Sequence, residues 1–377
     1  MQQNKPLHNQ IPKRNQLYRK VLIKLTLETS KMYHIEEMRT RLTLNEQSLS
    51  NVHTTDFPGS YSGYNDAWDS RKFISNFRVK IISIDDKEMQ FDMIGIDASI
   101  ANAFRRILIA EVPTMAIEKV FLYNNTSVIQ DEVLAHRLGL IPLDVDARLF
   151  EFRQTDDLEG TAEDTLDLEL NIKCTKNPSA PKDATDPNVM YKHHKVFSGD
   201  IVWIPKGNQS DVSCVKPVHD DILIAKLRPG HEIDVKMQAV KGLGRDHAKF
   251  SPVATASYRL LPEIKLLSKI TGDDVKELQS CFSPGVIGIK QNDQCEEEAY
   301  VVSARMDTCS REVFRHPNLK DKVKLSKVKD HFIYSVESAV GLAPNVLVSE
   351  SIKILMTKCR SFLRELDNAQ DKEMDTQ

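Results

Sequence analysis

Residues 97–113, DASIANAFRRILIAEVP, decide how the fold is interpreted. Apolar residues recur there at intervals of three and four, which is the period of one face of an α-helix. They are Ile100, Ala103, Phe104, Ile107 and Leu108. Asp97 is a suitable N-cap and Pro113 cannot continue a helix, so the pattern predicts a helix over 98–111.

A β-hairpin is predicted directly before this helix. Two stretches alternate apolar with polar residues, as strands with one buried face do. Their apolar residues are Phe77, Val79 and Ile81 in the first stretch and Met89, Phe91 and Met93 in the second. Residues 85–88, DDKE, supply the turn between them. We therefore expect a hairpin with these six side chains on a buried face.

The end of the chain predicts a second amphipathic helix. Its apolar residues are spaced alternately by four and three, which is the a/d pattern of a helix–helix seam. They are Val348, Ile352, Leu355, Cys359, Phe362 and Leu366. A helix that packs on its own core gives a similar pattern. The spacing therefore leaves open whether the seam lies within the chain or between two chains.

Residues 117–262 predict mostly short strands and loops. The clearest strand signal is a strict apolar alternation over four positions, Leu166, Leu168, Leu170 and Ile172. Strands here and helices on either side indicate an α+β protein.

The bulk composition limits the class of protein. The chain has 377 residues, 41% hydrophobic and 28% charged, which is typical of a globular protein with two or three domains. Its net charge of -3 lacks the basic excess of a dedicated nucleic-acid binder. No apolar run reaches the roughly 18 residues of a membrane span, and no secretory signal is recognisable. The six cysteines are scattered, which favours free thiols in a reducing compartment.

The start of the chain permits three interpretations. Residues 1–27 contain lysines and arginines but no acid, as mitochondrial transit peptides do, although they hold only two arginines and no serine. A disordered tail is the simplest alternative. The third is that translation begins at Met32 or Met38.

Metal ligands are not spaced as metal sites require. The candidates are His193, His194, Cys214, Cys281, Cys295 and Cys309. Structural zinc sites pair ligands two to four residues apart, and no such cysteine pair occurs. We expect no metal and no cofactor.

Catalytic motifs are also weak. His136 lies in a segment with a helical pattern, where a histidine is usually packed or exposed. Residues 241–245, KGLGR, lack the P-loop pattern and indicate a basic turn, while Asp144 and Asp146 form only a common D-x-D pair. The residues alone leave three hypotheses open: an assembly scaffold, an enzyme with an unrecognised site, and an independent nucleic-acid binder.

Several long motifs resemble one family, the α-type subunits of RNA polymerase. Four of them lie in the family's order: NAFRRILIAEVPTMAIEKV at 102–120, YNNTSVIQDEVLAHRLGLIPL at 123–143, KGLGRDHAKFSPVATASYRLLP at 241–262 and FIYSVESAVGLAPNVLVSESIKIL at 332–355. A fifth, NVHTTDFPGSYSGYNDAWD at 51–69, resembles the arm of the version shared by polymerases I and III. The polymerase II homologue is the alternative.

The resemblance implies a discontinuous domain organisation within the α+β class. It comprises a disordered tail at 1–45, an ordered arm at 46–69, a dimerisation domain at 70–115 plus 320–370, a mostly-β insert domain at 116–262, a ferredoxin-like region at 263–319 and a tail at 371–377. Some relatives carry a cysteine-ligated cluster in the ferredoxin-like region or a zinc loop in the insert domain. The cysteine pairs that such sites need are missing here, so we expect neither.

The resemblance also implies a non-catalytic role in assembly. The chain would pair with the smaller α-like subunit shared by polymerases I and III, and the pair would then seat the second-largest subunit. Neither sequence-specific DNA binding nor membrane attachment is expected. The implied location is the nucleus, including the nucleolus, and assembly can begin in the cytoplasm.

Two helices would carry the partner contacts. The residues expected to do so are Ile100, Phe104, Arg105, Arg106, Ile107, Leu108, Val348, Ile352, Leu355, Cys359, Phe362 and Leu366. The apolar stripe of the first helix would serve the core and the smaller partner. Arg105 and Arg106 lie off that stripe and would face the second-largest subunit.

Overall fold

A computed structural model describes most of the chain, namely residues 32–52, 61, 65, 67–154, 160–181, 183–212, 214–292 and 295–374. The interpretations of residues 1–31, of most of the arm and of residues 375–377 fall outside these residues. The first part of the tail predicted at 371–377, residues 371–374, belongs to helix α8. Within them, no helix is long and apolar enough to cross a membrane.

Helices and strands alternate along the described residues. The helices are α1 (32–40), α2 (Ser70–Asn76), α3 (Ala98–Ala110), α4 (Asp131–Gly139), α5 (Pro187–Met190), α6 (Gln209–Val212), α7 (Asp273–Ser280) and α8 (Pro344–Met374). The strands are β1 (Arg41–Leu44), β2 (Leu49–Ser50), β3 (Arg78–Ile84), β4 (Glu88–Ile94), β5 (Thr114–Asn125), β6 (Leu143–Asp144), β7 (Thr165–Lys173), β8 (Thr175–Lys176), β9 (Tyr191–Lys192), β10 (Lys195–Phe197), β11 (Val202–Ile204), β12 (Lys216–Pro217), β13 (Leu223–Lys226), β14 (Glu232–Gly242), β15 (Val253–Leu266), β16 (Ile287–Gln291), β17 (Glu297–Val301) and β18 (Val323–Ser338). This mixture confirms the α+β class.

The described residues belong to two compact units, and both are discontinuous in sequence. The first comprises the described residues within Met1–Arg78, Met93–Ala98 and Arg259–Ile333, and the second those within Val79–Asp92, Ser99–Tyr258 and Tyr334–Gln377. The end of the chain thus returns to the unit that contains α3. Because the two units cut across the six predicted segments, the predicted domain boundaries stay predictions.

The first unit contains residues 323–333 of β18 and strand β1 beside them. Strand β1 pairs antiparallel with β18, Arg41 opposite Val328 and Leu44 opposite Leu325. Leu44 and Leu325 are buried in a core that also includes Leu278 of α7. The predicted disordered tail at 1–45 is therefore wrong for 32–45, because this segment forms a helix and a strand that buries Leu44.

The second unit contains a four-stranded antiparallel sheet in the order β11-β7-β14-β5. The alternation predicted over β7 is confirmed, since Leu166, Leu168 and Leu170 are fully buried. They pack in a core with Leu134 and Leu138, which lie one turn apart on α4. This sheet occupies the part of the chain predicted as a mostly-β insert.

The predicted hairpin exists, but only one of its strands is buried. Met89, Phe91 and Met93 of β4 are buried as expected. The prediction for the other strand is wrong, because Phe77, Val79 and Ile81 are exposed. Strand β3 lies at the sheet edge beyond β4, and an edge strand is buried only if another element covers it.

Candidate partner-binding surface

Helix α3 forms where it was predicted. Some of the residues expected to contact a partner are buried within the chain, and others are not. Ile107 and Leu108 are buried within the chain, together with Ala101. The prediction that Ile107 and Leu108 contact a partner is therefore corrected: they anchor the helix to its own unit. Ile100, Phe104 and Arg105 are half-buried and Arg106 is exposed.

The two arginines of α3 have different environments. The Arg105 guanidinium donates from Nε to Oδ1 of Asn102, one turn earlier, at 3.0 Å. The exposed Arg106 side chain has no ion pair or hydrogen bond among the described residues. Its charge is permanent under ordinary conditions, so it is available to an acidic partner.

The KGLGR turn has a structural role that the sequence did not reveal. The Arg245 N–H donates to the carbonyl oxygen of Ala110 at 2.9 Å, so the turn caps the last residue of α3. A Cβ on Gly244 would lie 2.2 Å from the Ile109 carbonyl oxygen, so only glycine permits this approach. Two glycines separated by one residue were the only signal in the sequence.

The first half of helix α8 packs against the rest of the chain. Leu347 and Ser351 are fully buried in its first two turns. Lys358 forms an ion pair with Glu111, immediately after α3. The expected partner residues Val348 and Leu355 lie in this part and are half-buried.

An ion-pair network also reaches the first turns of α8. Arg148 pairs with Asp146 at 2.6 Å and with Glu350 at 3.7 Å. The hydrogen bond from Arg148 lowers the pKa of Asp146 below its usual range, despite partial burial. Lys241 donates to the Phe150 carbonyl oxygen at 2.7 Å, and burial lowers its pKa. Asp146 is thus part of an ion-pair network that reaches α8, whereas Asp144 lies in β6 opposite Lys216 of β12.

The distal part of α8 exposes its apolar residues. Of those expected to bind a partner, Ile352, Cys359, Phe362 and Leu366 are exposed, and Phe362 retains 66% of its accessible surface. Met356 and Leu363 are exposed as well, although the a/d spacing did not include them. The part of the seam from Cys359 to Leu366 is therefore not covered by the described part of the chain.

Strand β3 adds a second exposed apolar surface in the same unit. All seven of its residues are exposed, including Val79, Ile81, Ile82 and Ile84. Alternate residues of a strand lie on opposite faces, so both faces of β3 carry branched apolar side chains. Sequence reasoning placed part of this strand in the core and so missed it as a surface.

The remaining candidates are dispersed. Among the described residues, no three histidine, cysteine or acidic side chains are arranged to hold a metal ion. His194 Nδ1 lies 2.7 Å from the Leu227 carbonyl oxygen, and burial raises the pKa of the Cys281 thiol. The exposed His136 ring lies 6.2 Å from the His247 ring, whose Nδ1 accepts the Lys249 N–H.

Comparison with known proteins covers α3, β18 and the first half of α8. The RNA polymerase Rpb3/Rpb11 dimerisation domain matches residues 90–359. The DNA-directed RNA polymerases I and III subunit RPAC1 of Mus musculus is 60% identical over 88% of this chain and 97% of its own length. RPAC1 of Saccharomyces cerevisiae is 51% identical over 82% of this chain and 93% of its own length. The DNA-directed RNA polymerase II subunit rpb3 of Dictyostelium discoideum is 33% identical over 74% of this chain and 91% of its own length. The chain therefore belongs to the α-type subunit family of RNA polymerases, whose shared element is the Rpb3/Rpb11 dimerisation domain.

Proposed function

We propose that this chain is a non-catalytic assembly subunit of RNA polymerases I and III. It pairs with a smaller α-like subunit, and the heterodimer then seats the second-largest subunit. The names of the more similar relatives support polymerases I and III, since the polymerase II relative is 33% identical to this chain and the mouse RPAC1 is 60% identical.

The proposal rests mainly on the exposed apolar residues in the distal part of α8. Residues 359–374 span about 24 Å of helix at 1.5 Å per residue. A helix of this length gains its stability mainly from packing its apolar face, yet Phe362, Leu363 and Leu366 are exposed. Exposed apolar patches of this kind mark interaction surfaces. A second helix with its own apolar stripe would cover them.

The exposed strand β3 also supports pairing with the smaller α-like subunit. A seven-residue edge strand with apolar side chains on both faces is prone to aggregate unless it is covered. A bound subunit would cover the residues that the sequence pattern assigned to a buried face, including Val79 and Ile81. The proposal thus accounts for an apolar pattern that the chain alone leaves exposed.

Assembly also agrees with the chemistry of the chain. The titratable side chains with shifted pKa values are mostly in ion pairs or buried thiols, such as Asp146 with Arg148 and Cys281. Ion-paired carboxylates and buried thiols of this kind stabilise a fold, and the proposal assigns the synthesis of RNA to other subunits of the complex. The proposal implies that the chain acts in the nucleus, including the nucleolus.

The test is co-expression of the chain with the smaller α-like subunit. Alone, the chain should aggregate or bind a hydrophobic dye, and with its partner it should elute as a monodisperse heterodimer. Phe362→Ala should weaken the heterodimer roughly 10- to 150-fold, because burying a phenylalanine contributes about 1.5–3 kcal/mol. Arg364→Ala, an exposed polar neighbour on the same helix, is the matched control and should change affinity less than about threefold.

A soluble, monodisperse monomer that binds no dye would contradict the proposal. Affinity purification from cells then separates the two candidate enzymes. The largest subunits of polymerases I and III should co-purify with the tagged chain. Recovery of polymerase II subunits instead would support the polymerase II alternative.

A further inference from the structure

We infer that four exposed cations of the second unit form one surface, which binds the phosphates of a single-stranded nucleic acid without reading its sequence. The inference goes beyond the proposed function, because assembly of subunits requires no such contact. The four cations are Lys176, Lys195, Lys226 and Arg228, and the surface also includes Tyr191. We call these five residues the basic surface.

Strand register places two of the lysines side by side. Lys195 of β10 lies directly opposite Lys226 of β13 in an antiparallel pair. Side chains that are directly opposite lie on the same face, with their Cβ atoms about 5 Å apart. Val196 and Ala225, the next pair, are buried, so the two lysines point to solvent. The fold thus holds two like charges next to each other.

Arg228 extends this lysine pair along the chain. Ala225 and Leu227 are buried. Lys226 and Arg228 alternate with them and are exposed, as alternate residues of an extended chain on one face would be. The chain beyond β13 is held by His194, whose carbonyl oxygen accepts the Leu227 N–H at 2.7 Å. Lys226 and Arg228 therefore lie on one face, about 7 Å apart along the chain.

A turn fixes the backbone at Arg228. The His231 N–H donates to the Arg228 carbonyl oxygen at 2.9 Å, and Gly230 has a left-handed φ of 94°. Pro229 precedes this glycine, and proline followed by glycine is the pair that a type II turn favours. Arg228 is thus presented from a fixed backbone, which reduces the entropy cost of binding.

Tyr191 links Lys176 to Arg228. Lys176 of β8 lies directly opposite Tyr191 of β9, so their side chains are on one face. The Arg228 guanidinium lies over the Tyr191 ring, 5.6 Å from its centroid, in a cation–π contact. The β8–β9 pair and the β10–β13 pair thus contribute to the same surface.

The charges of the basic surface are not neutralised by the described residues. None of its three lysines has an ion pair or a side-chain hydrogen bond within that part of the chain. The nearby Glu232 pairs with Lys173 at 2.8 Å. Asp220 and Asp221 precede β13, whereas Lys226 is its last residue. The basic surface is therefore cationic, although the chain as a whole carries a net charge of -3.

Phosphates suit the basic surface better than the carboxylates of a protein partner. Three of its four cations are lysines, which bind phosphate as point charges and lack the planar fork with which arginine binds carboxylates. A protein interface normally has an apolar core, and no member of the surface is aliphatic.

The same residues favour a single strand bound through its backbone. A flexible strand can bring its phosphates to cations that are only about 5–7 Å apart. Arg228 covers one face of the Tyr191 ring, so a base cannot stack on that face. Contacts to phosphates position a strand but carry no sequence information.

The experiment measures RNA binding by the full chain, purified with the smaller α-like subunit. The probe is a fluorescent single-stranded RNA of about 16 nucleotides, the upper end of common single-strand site sizes. Fluorescence anisotropy at several salt concentrations gives the affinity and its salt dependence. Four phosphate contacts predict a slope of log K against log salt of about -3, since each contact with a single strand contributes about -0.7.

The variant Lys195→Gln/Lys226→Gln should bind RNA roughly tenfold more weakly or worse, with a slope smaller in magnitude by about 1.4. Its unfolding midpoint should equal or exceed that of the wild type, because the substitutions remove repulsion between opposite lysines. The matched control is Lys119→Gln/Lys320→Gln, the same change of charge at two exposed lysines outside the basic surface. The control should bind RNA like the wild type.

Wild-type affinity of the Lys195→Gln/Lys226→Gln variant would overturn the inference, and so would an equal loss in the control. Failure of the wild type to bind RNA at low salt would also overturn it. Tighter binding of duplex DNA of the same length, or binding of polyglutamate in place of RNA, would assign the surface to another ligand and have the same effect. Gel filtration tests the heterodimer separately. A chain that binds RNA but does not pair with the smaller subunit would support the inference and contradict the proposed function.

Discussion

The phenolic hydroxyl of Tyr334 in β18 donates a hydrogen bond to the backbone carbonyl of Ala101 in α3. Both residues are fully buried. The Tyr334 ring stacks on Phe91 of β4 with centroids 5.0 Å apart. Burial raises the pKa of Tyr334 far above neutrality, so its hydroxyl remains a donor. One side chain thus links the last strand, the hairpin and the helix of the dimerisation domain.

Tyr334→Phe should destabilise the heterodimer by about 0.5–1.5 kcal/mol, the usual net contribution of one hydrogen bond. The ring and its stacking on Phe91 are preserved, and the Ala101 carbonyl keeps its place in the helix. Urea unfolding of the purified heterodimer measures the difference. Tyr300→Phe, at a partly exposed tyrosine, should be neutral. A neutral Tyr334→Phe would show that the buried hydroxyl contributes nothing.

Phe104→Ala and Arg106→Ala should have separable effects. The Phe104 ring is half-buried, so its truncation should cost about 2 kcal/mol, less than the roughly 3–5 kcal/mol of a fully buried phenylalanine. The exposed Arg106 should change stability by less than about 0.5 kcal/mol while it weakens recruitment of the second-largest subunit. Thermal unfolding and a pull-down of both partners distinguish the two. If both variants assemble normally, α3 is not an assembly surface.

Gly244→Ala should destabilise the second unit by about 1–3 kcal/mol, the usual cost of forcing extra atoms into a packed site. The added Cβ would lie 2.2 Å from a backbone oxygen of α3, which cannot yield as a flexible side chain can. Asp246→Ala, an exposed change in the same turn, should be neutral. Denaturant unfolding of the two variants provides the comparison, and equal stabilities would mean that the turn adjusts freely.

A cluster of ionisable side chains around α7 should make the stability of the fold depend on pH in the acidic range. Lys322 Nζ lies 2.7 Å from Asp274, and hydrogen bonds from Lys322 and Asn318 lower the pKa of that carboxyl. Hydrogen bonds from Asn318 and His316 lower the pKa of Glu277. A lowered folded-state pKa stabilises the fold above the unfolded-state pKa, near 4 for these groups, and this contribution is lost as the pH falls through the folded-state value.

The double variant Asp274→Asn/Glu277→Gln should therefore be less stable than the wild type at pH 7 and lose less stability between about pH 4.5 and pH 3. Unfolding midpoints of the heterodimer across this range measure the change. The difference should shrink in high salt, because both carboxyl groups are accessible to solvent in part. Parallel pH profiles for the two proteins would contradict the assignment.

The sequence by itself was sufficient to predict the main helices and strands and to identify the family. The three-and-four spacing of Ile100, Phe104 and Leu108 predicted α3, because a helix places such residues on one face whatever the rest of the chain does. Period-two alternation predicted β4 and β7 for the same local reason. The resemblance of the motif at 102–120 to α-type subunits was confirmed by the comparisons.

Which apolar residues are covered was decided by the tertiary structure. Val79 of β3 and Met89 of β4 have the same local pattern, yet only Met89 is buried, because β3 lies at the sheet edge and β4 beside β18. Local periodicity shows that a side chain is apolar, not whether another element lies over it. The same holds for Arg245, since its backbone contact with Ala110 of α3 joins segments far apart in sequence, which no local pattern encodes.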